Sequence, residues 1–313
     1  MNKSDPLDQQ ALEAAKQYMG RVAWPTVILG LVISISYVAI PALVATGVVS
    51  LALAVPLMAF LTYAAYTVMH DAVHGSINGS HKPLRWLNEA LGYAMGWILM
   101  IPLTAHRHEH LAHHRNTNKP DADPDFVVAN MAKSPLHAAR AAVDIMVGQY
   151  TYYRGNRWGK GPRKQDVFLC IEVCAALLPR LAFVAAGFWL EGLALFVLAS
   201  VAGVALLMFL FAYIVHTPHQ STGRYVDTST FVANGVLGTI VTALWGFQNY
   251  HSIHHLFPRV PFYTYRSLFG QIEEVMIARG APIYQLSFKG IQPYTGHVCC
   301  SSIRNGQMAQ TGG

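Results

Sequence analysis

The chain has 313 residues, of which 53% are hydrophobic and only 12% are charged, and its mean hydropathy is +0.31. Soluble domains carry roughly a quarter charged residues, so this composition argues against a soluble globular protein and for an integral membrane protein. The net charge is +6, but the basic residues flank apolar segments. That pattern is typical of membrane orientation and of contact with anionic lipids, so we expect no nucleic-acid partner.

The first 23 residues are polar and of mixed charge, without the apolar region of a signal peptide, and we expect them to form a cytoplasmic N-terminal segment. After them come four apolar segments, each long enough to cross a hydrocarbon core of ~30 Å. Their approximate limits are 24–48, 51–69, 167–187 and 190–215. The short turns within each pair hold no Lys or Arg, which predicts two hairpins whose open ends face the cytoplasm, in a bacterial inner membrane.

Two further apolar stretches are poor spans, because 84–103 carries Arg85 and Glu89 and because 231–247 is short and broken by glycines. We interpret both as helices at the cytoplasmic interface. The predicted fold is therefore all-α, with four transmembrane helices under a cytoplasmic helical cap. The membrane and cap domain is expected over 24–298, and the Gly/Gln/Ser-rich tail over 299–313 is expected to be disordered.

Histidines cluster just outside the apolar segments, all on the predicted cytoplasmic side. Residues three or four apart share one face of a helix, so each cluster directs several imidazoles to one region. Neutral imidazoles bind Zn, Cu, Fe or Ni, and so many ligands favour two metal ions over one. The candidate ligands are His70 and His74, then His110, His113 and His114, and then His251, His254 and His255.

A further ligand is expected at the end of the fourth segment. Pro218 should end the helix there, so spacing alone leaves open whether His216 or His219 faces the metals, and we favour His219. Metal-bound imidazoles usually donate their second N–H to a carboxylate or a carbonyl group. The nearby candidates for this role are Asp71, Glu109, Asp125 and Asn249, although Asp125 is also interpretable as a plain helix cap.

Two other classes of membrane protein also use histidines. A histidine-rich metal transporter needs ionisable residues facing one another in the middle of the bilayer. The predicted spans are nearly free of such residues, which argues against a transporter. The main exception is Arg180, which we expect to anchor or pair helices. A b-type cytochrome needs single histidines inside opposed spans, and the clusters here lie outside them. The transporter is the remote alternative.

The histidine motifs resemble those of the membrane fatty acid desaturase superfamily. They are HDAVHG from His70, HLAHHRNTN from His110 followed by DPD from Asp123, and NYHSIHHLFP from Asn249. The resemblance covers residues 64–266. It implies a di-iron centre under four transmembrane helices, with O₂ as the co-substrate and electrons from a separate donor such as ferredoxin. The implied activity is hydroxylation or desaturation of a C–H bond of a membrane lipid, with no catalytic residue beyond the metal centre.

Within the superfamily, the run from Gln248 to Tyr263 looks closest to bacterial carotenoid ring hydroxylases and ketolases. The Pro218-His219 pair resembles the site at which that branch carries a single metal ligand outside the three motifs. This resemblance supports His219. Carotenoid ring hydroxylation is therefore the expected activity, and acyl-lipid desaturation or acyl hydroxylation is the alternative. His216 departs from the pattern of that branch and puts the substrate in doubt.

Overall fold

The computed structural model describes residues 5–296, so the tail predicted over 299–313 lies outside the described residues. The helices, in chain order, are α1 (Pro6–Lys16), α2 (Trp24–Ala45), α3 (Leu51–His74), α4 (Arg85–Leu99), α5 (Leu103–Asn116), α6 (Pro135–Asn156), α7 (Arg163–Ala185), α8 (Trp189–His216), α9 (Gly235–Leu244), α10 (His251–Leu256) and α11 (Tyr265–Ala278). The strands are β1 (Thr230–Ala233), β2 (Ile283–Ser287) and β3 (Gly290–Pro293).

Among the described residues, the four helices that are long and apolar enough to cross a membrane are α2, α3, α7 and α8. Short turns join α2 to α3 and α7 to α8, so the predicted fold class, four spans in two hairpins, is confirmed. The outer faces of these helices are apolar; Ile35 and Leu181, for example, are 68% and 60% exposed. Such faces are stable against lipid acyl chains and not against water.

Helix α3 lies at the centre of the membrane domain and packs against α2, α4 and α8. Its contact with α8 is close at Gly203, where an added Cβ would lie 2.5 Å from the Ala59 carbonyl oxygen. Small residues at such crossings let transmembrane helices approach closely. The contact fixes the relative position of α3 and α8, whose ends carry His70 and His216.

The cap is formed by the segments outside the four spans. Helix α3 stops immediately after His74, because Gly75 takes the left-handed conformation (φ +67°) that commonly ends helices. Helices α1 and α10 pack on α11 around a second apolar core, which includes Tyr265 and Leu268. Ile253 and Leu256 of α10 belong to this core, which holds that helix in place.

The prediction of an interfacial helix over 231–247 is wrong for the first part of this segment. Residues 230–233 form β1, which pairs in parallel with β2, with Thr230 opposite Ile283, and β2 pairs with β3 in antiparallel. Asn234 separates the strand from α9, which begins at Gly235 with a φ of +73° that suits glycine. Helix α9 has 10 residues and is too short to cross a bilayer, so α10 stays on the same side of the spans as α5.

Candidate metal centre

Four separate parts of the chain bring histidines together at one end of the spans. They are the last turn of α3, helix α5, the last turn of α8 and helix α10. The ring centroids of His70 and His254 are 3.9 Å apart, and those of His114 and His255 are 4.4 Å apart. Clusters that are far apart in sequence therefore form one contiguous and largely buried site.

The imidazole nitrogens form two groups, in each of which one nitrogen per residue lies within 4.8 Å of all the others. The first group is His70, His74, His110, His114 and His254, and the second is His113, His216 and His255. Nε2 of His254 lies 2.8 Å from Nε2 of His114, and Nε2 of His216 lies 3.3 Å from Nε2 of His255. Two convergent sets of nitrogens suit two metal ions.

His251 lies beside the second group. Its ring centroid is 4.8 Å from that of His255 and 5.0 Å from that of His216. Its Nδ1 atom lies 2.7 Å from Oε1 of Gln248, which leaves Nε2 for other contacts. His251 is therefore placed to complete the second group as a fourth imidazole.

His219, which the sequence favoured, lies outside both groups. Its ring centroid is 6.5 Å from that of His216, and its buried Nε2 atom has no hydrogen-bond partner among the described residues. The geometry favours the alternative ligand, His216, because its ring belongs to the second group and lies where α8 ends. His219 lines the small cavity next to the histidines instead.

Burial keeps most of the imidazoles outside the spans neutral. Burial first, and neighbouring histidines second, hold the pKa values of several rings well below the usual range, namely His110, His114, His251, His254 and His255. A neutral imidazole has the lone pair that a metal ion needs. Burial would also lower the pKa of His113, but the hydrogen bond to Asp123 and the charges of three nearby aspartates raise it to about 8.

Three of the rings are oriented through Nδ1 by a side chain outside the two groups. Nδ1 of His113 lies 2.8 Å from Oδ1 of Asp123, and Nδ1 of His254 lies 3.1 Å from the Tyr265 hydroxyl. His251 is held in the same way by Gln248. Such contacts fix the tautomer and the direction of a ring and leave Nε2 for the metal.

The residues that the sequence suggested for this role behave differently. Asp71 accepts a hydrogen bond from the Thr26 hydroxyl (2.8 Å) and so joins α3 to α2, and Asn249 donates to the carbonyl of Phe231 (2.8 Å) in β1. Asp125 lies 3.7 Å from Nδ1 of His113, behind Asp123. Another candidate, Glu109, lies 3.6 Å from Nδ1 of His106, a buried histidine outside both groups.

Sequence reasoning missed Asp123, Gln248 and Tyr265 as partners of the rings. Gln248 is three residues before His251, a spacing that places both on one helical face and could have identified it. Asp123 begins the DPD run that follows the second motif. Nothing in the local sequence singles out Tyr265, which reaches His254 only through the packing of α11 on α10.

We expect Asp123→Asn to weaken metal binding about 10–100-fold, the usual cost of losing a partner that orients a metal-bound histidine. An amide keeps the size of the side chain but removes the charge that holds the His113 ring. Titration of the metal-free protein with Fe(II) under anaerobic conditions measures the effect. Asp121→Asn, at an exposed position in the same loop, is the matched control, and equal affinities in the two variants would contradict the assigned role.

Comparison with known proteins identifies the family. Residues 46–287 match the family model for fatty acid desaturases. The match covers most of the chain and every histidine of the two groups, so the chain belongs to the fatty acid desaturase family. The predicted membership of the membrane fatty acid desaturase superfamily is confirmed, and with it the prediction that the protein is an enzyme.

Individual relatives are distant. The chain is similar to a fatty acid desaturase of Bacillus subtilis, with 26% identity over 240 residues (68% of this chain and 65% of that protein). It is similar to an acyl-lipid (7-3)-desaturase of Diacronema lutheri, with 27% identity over 264 residues (71% and 55%). It is also similar to a chloroplastic sn-2 acyl-lipid omega-3 desaturase (ferredoxin) of Arabidopsis thaliana, with 24% identity over 233 residues (64% and 50%). The chain therefore matches between half and two thirds of the length of these relatives.

Proposed function

We propose that the protein is a membrane di-iron desaturase that acts on the acyl chain of a lipid. The observation that carries the proposal is the pair of buried imidazole groups at the end of α3 and α8, where an acyl chain in the bilayer can approach them. The relatives described above are named for action on fatty acids or acyl lipids. No such support exists for carotenoid ring hydroxylation, the activity that the sequence favoured, so the acyl-lipid alternative replaces it.

The donor set fits iron. It consists of imidazole nitrogens, most of which outside the spans are kept neutral by burial, and imidazole is a common ligand of non-haem iron. Both ring nitrogens of His70 and Nε2 of His74 are buried without a hydrogen-bond partner among the described residues, an arrangement that is costly unless they bind something. One ion would be held by His70, His74, His110, His114 and His254, and the other by His113, His216, His251 and His255.

Iron bound there would supply the oxidising power to remove hydrogen from an unactivated C–H bond, with O₂ as the co-substrate and two electrons from an external donor. The chain itself positions the substrate and excludes water. The rings of Tyr66 and Phe211 lie 5.6 Å and 6.3 Å from that of His70 and make this side of the site apolar. A C–H bond offers no polar contact, so the shape of the apolar surface has to select the carbon that reacts.

An apolar groove in the membrane domain supports a lipid substrate. It lies between α6 and α8, has a volume of about 840 Å³ and is lined mainly by Ala, Val, Leu and Met. Met146, Val204 and Met208 line both this groove and the cavity of about 40 Å³ that His110 and His216 line. These three side chains form the wall between the groove and the metal centre. We propose that the acyl chain enters from the bilayer and passes them.

We expect Val204→Trp to reduce desaturation at least about 10-fold while leaving the bound iron unchanged, because the indole fills the passage without touching a histidine group. Product formation and iron content are measured on the same preparation. Leu206→Trp, two residues along α8 and 45% exposed toward lipid, is the matched control. Equal activity of the two variants would show that the substrate takes another path.

The substrate assignment is tested by mass spectrometry of the lipids of a bacterial host that accumulates β-carotene. Cells expressing this protein are compared with cells expressing His254→Ala. We expect acyl chains lighter by two hydrogens only with the unchanged protein. Carotenoids heavier by one oxygen or more, with unchanged acyl chains, would overturn the acyl-lipid assignment in favour of ring hydroxylation.

We further propose that the metal centre faces the cytoplasm and receives electrons from a separate protein such as a ferredoxin, as the printed name of the Arabidopsis relative says of that enzyme. The turns 46–50 and 186–188, at the opposite end of the spans, contain no Lys or Arg, whereas the histidine end carries many. An excess of Lys and Arg marks the cytoplasmic side of bacterial membrane proteins. Labelling of single cysteines placed in the turns and in the cap, on intact cells, tests this orientation.

A further inference from the structure

Helix α7 contributes no histidine to the metal centre, yet it carries two charged residues within its apolar length, Glu172 and Arg180. Charged side chains inside a span are costly and are usually retained for a purpose. The two are eight residues apart, or ~12 Å along the helix. Arg180 contacts the last turn of α4 and Glu172 contacts the first turn of α5, on the two sides of the corner at residues 100–102.

Arg180 binds the C-terminal end of α4. Its guanidinium donates to the carbonyls of Trp97 (2.9 Å) and Ile98 (3.3 Å), and it lies 4.8 Å from the Trp97 ring. The last carbonyls of a helix lack partners within the helix, and its C-terminal end is negative, so a cation is stabilising there. The indole of Trp97 donates in turn to the carbonyl of Ala175 in α7 (2.8 Å).

Glu172 binds the N-terminal end of α5. Its carboxylate accepts hydrogen bonds from the backbone N–H of Thr104 (3.3 Å) and from the Thr104 hydroxyl. The residue that precedes α5 is Pro102, whose side chain cannot accept a capping hydrogen bond. The positive end of α5 is therefore capped by an anion from another helix, the arrangement that the helix dipole favours.

From these contacts we infer that Glu172 and Arg180 are positioning residues for the metal centre. Each places the stabilising charge at one side of the α4–α5 corner, and together they fix where α5 begins. Helix α5 carries His110 and His114 of the first group and His113 of the second. A shift of α5 along its axis would therefore displace ligands of both groups at once. We call the contacts of Glu172 and Arg180 with the two sides of this corner the clamp. The consequence for iron rests on the proposed function, whereas the clamp does not.

The experiment compares Glu172→Leu, which removes the acceptor, with Glu172→Gln, which keeps an acceptor oxygen. Hydrogen exchange followed by mass spectrometry is measured on the metal-free protein in detergent. We expect amides at the start of α5 to exchange about 5–10-fold faster in Glu172→Leu, from the usual effect of a lost cap, and at rates between those of this variant and the wild type in Glu172→Gln, which keeps the acceptor but loses the charge. Amides of α11 act as the internal reference, and Glu191→Leu, in the first turn of α8 at the opposite end of the spans, is the matched control.

Iron per chain is then measured for the same proteins after anaerobic loading. We expect less than half of the wild-type iron in Glu172→Leu and an amount between that and the wild-type value in Glu172→Gln. Unchanged exchange in α5 would overturn the clamp, and faster exchange with full iron would overturn the positioning role. A wild-type protein that binds no iron would count against the proposed function alone, since the exchange result still decides the clamp. Should Glu172→Leu fail to fold, Thr104→Val removes one of the two hydrogen bonds and is expected to change exchange in the same direction.

Discussion

Replacement of His254 by alanine is expected to remove most of the bound iron and to lower desaturation by at least about 100-fold, since losing even an outer partner costs 10–100-fold. The His254 ring lies against His70 (3.9 Å between centroids), and its Nε2 atom lies 2.8 Å from that of His114. Nδ1 lies 3.1 Å from the Tyr265 hydroxyl, a contact that holds the ring in this position.

The measurements for His254→Ala are iron per chain by elemental analysis and product formation in membranes. His137→Ala is the matched control, because His137 is exposed on α6 and, among the described residues, its ring hydrogen-bonds to the nearby Ser134. Full iron content and full activity in His254→Ala would show that the first group is not a metal site.

The second large effect is expected to separate His216 from His219. We expect His216→Ala to retain one iron or fewer per chain and to lose activity about 100-fold. The substitution removes one of the three nitrogens of the second group. We expect His219→Ala to retain both irons, because its ring lies outside the two groups. Iron content is measured for both variants under the same loading conditions. The reverse result would restore the preference for His219 that the sequence suggested.

The four spans could be predicted because hydropathy is a local property of the chain. The second apolar segment ends near Met69, but the spacing of His70 and His74 predicted that the helix continues past it. Helix α3 does continue to His74. The histidines lower the hydropathy there without breaking the helix, since their side chains are buried among those of α5 and α10.

Elements that depend on distant partners could not be predicted. The sequence favoured one helix over 84–103, but α4 ends at Leu99, and Met100 takes a left-handed conformation (φ 56°). Methionine gives no signal for such a turn, and the Met100 carbonyl is held by the Tyr150 hydroxyl (2.8 Å) from α6. In the same way, β1 exists because β2, some fifty residues further along the chain, pairs with it.

The histidine clusters were identifiable from spacing, but the ligand at the end of α8 was not. Two π-helical segments, Leu193–Leu198 and Met208–Tyr213, interrupt the regular turns of α8, and a tighter turn, Ile214–His216, ends it. A π segment holds more residues per turn than an α-helix, so the 3.6-residue period cannot be carried along α8 to decide which face His216 occupies. Only the three-dimensional structure places its ring beside His255.

The adjacent pairs His113–His114 and His254–His255 are each divided between the two groups. Successive residues on a helix point about 100° apart, because 3.6 residues complete one turn. In each doublet, one imidazole therefore points toward each proposed metal position. The two helices that carry the doublets set the distance between these positions. In the proposed centre, two pairs of neighbouring residues therefore link the two metal positions, which favours one binuclear centre over two independent mononuclear sites.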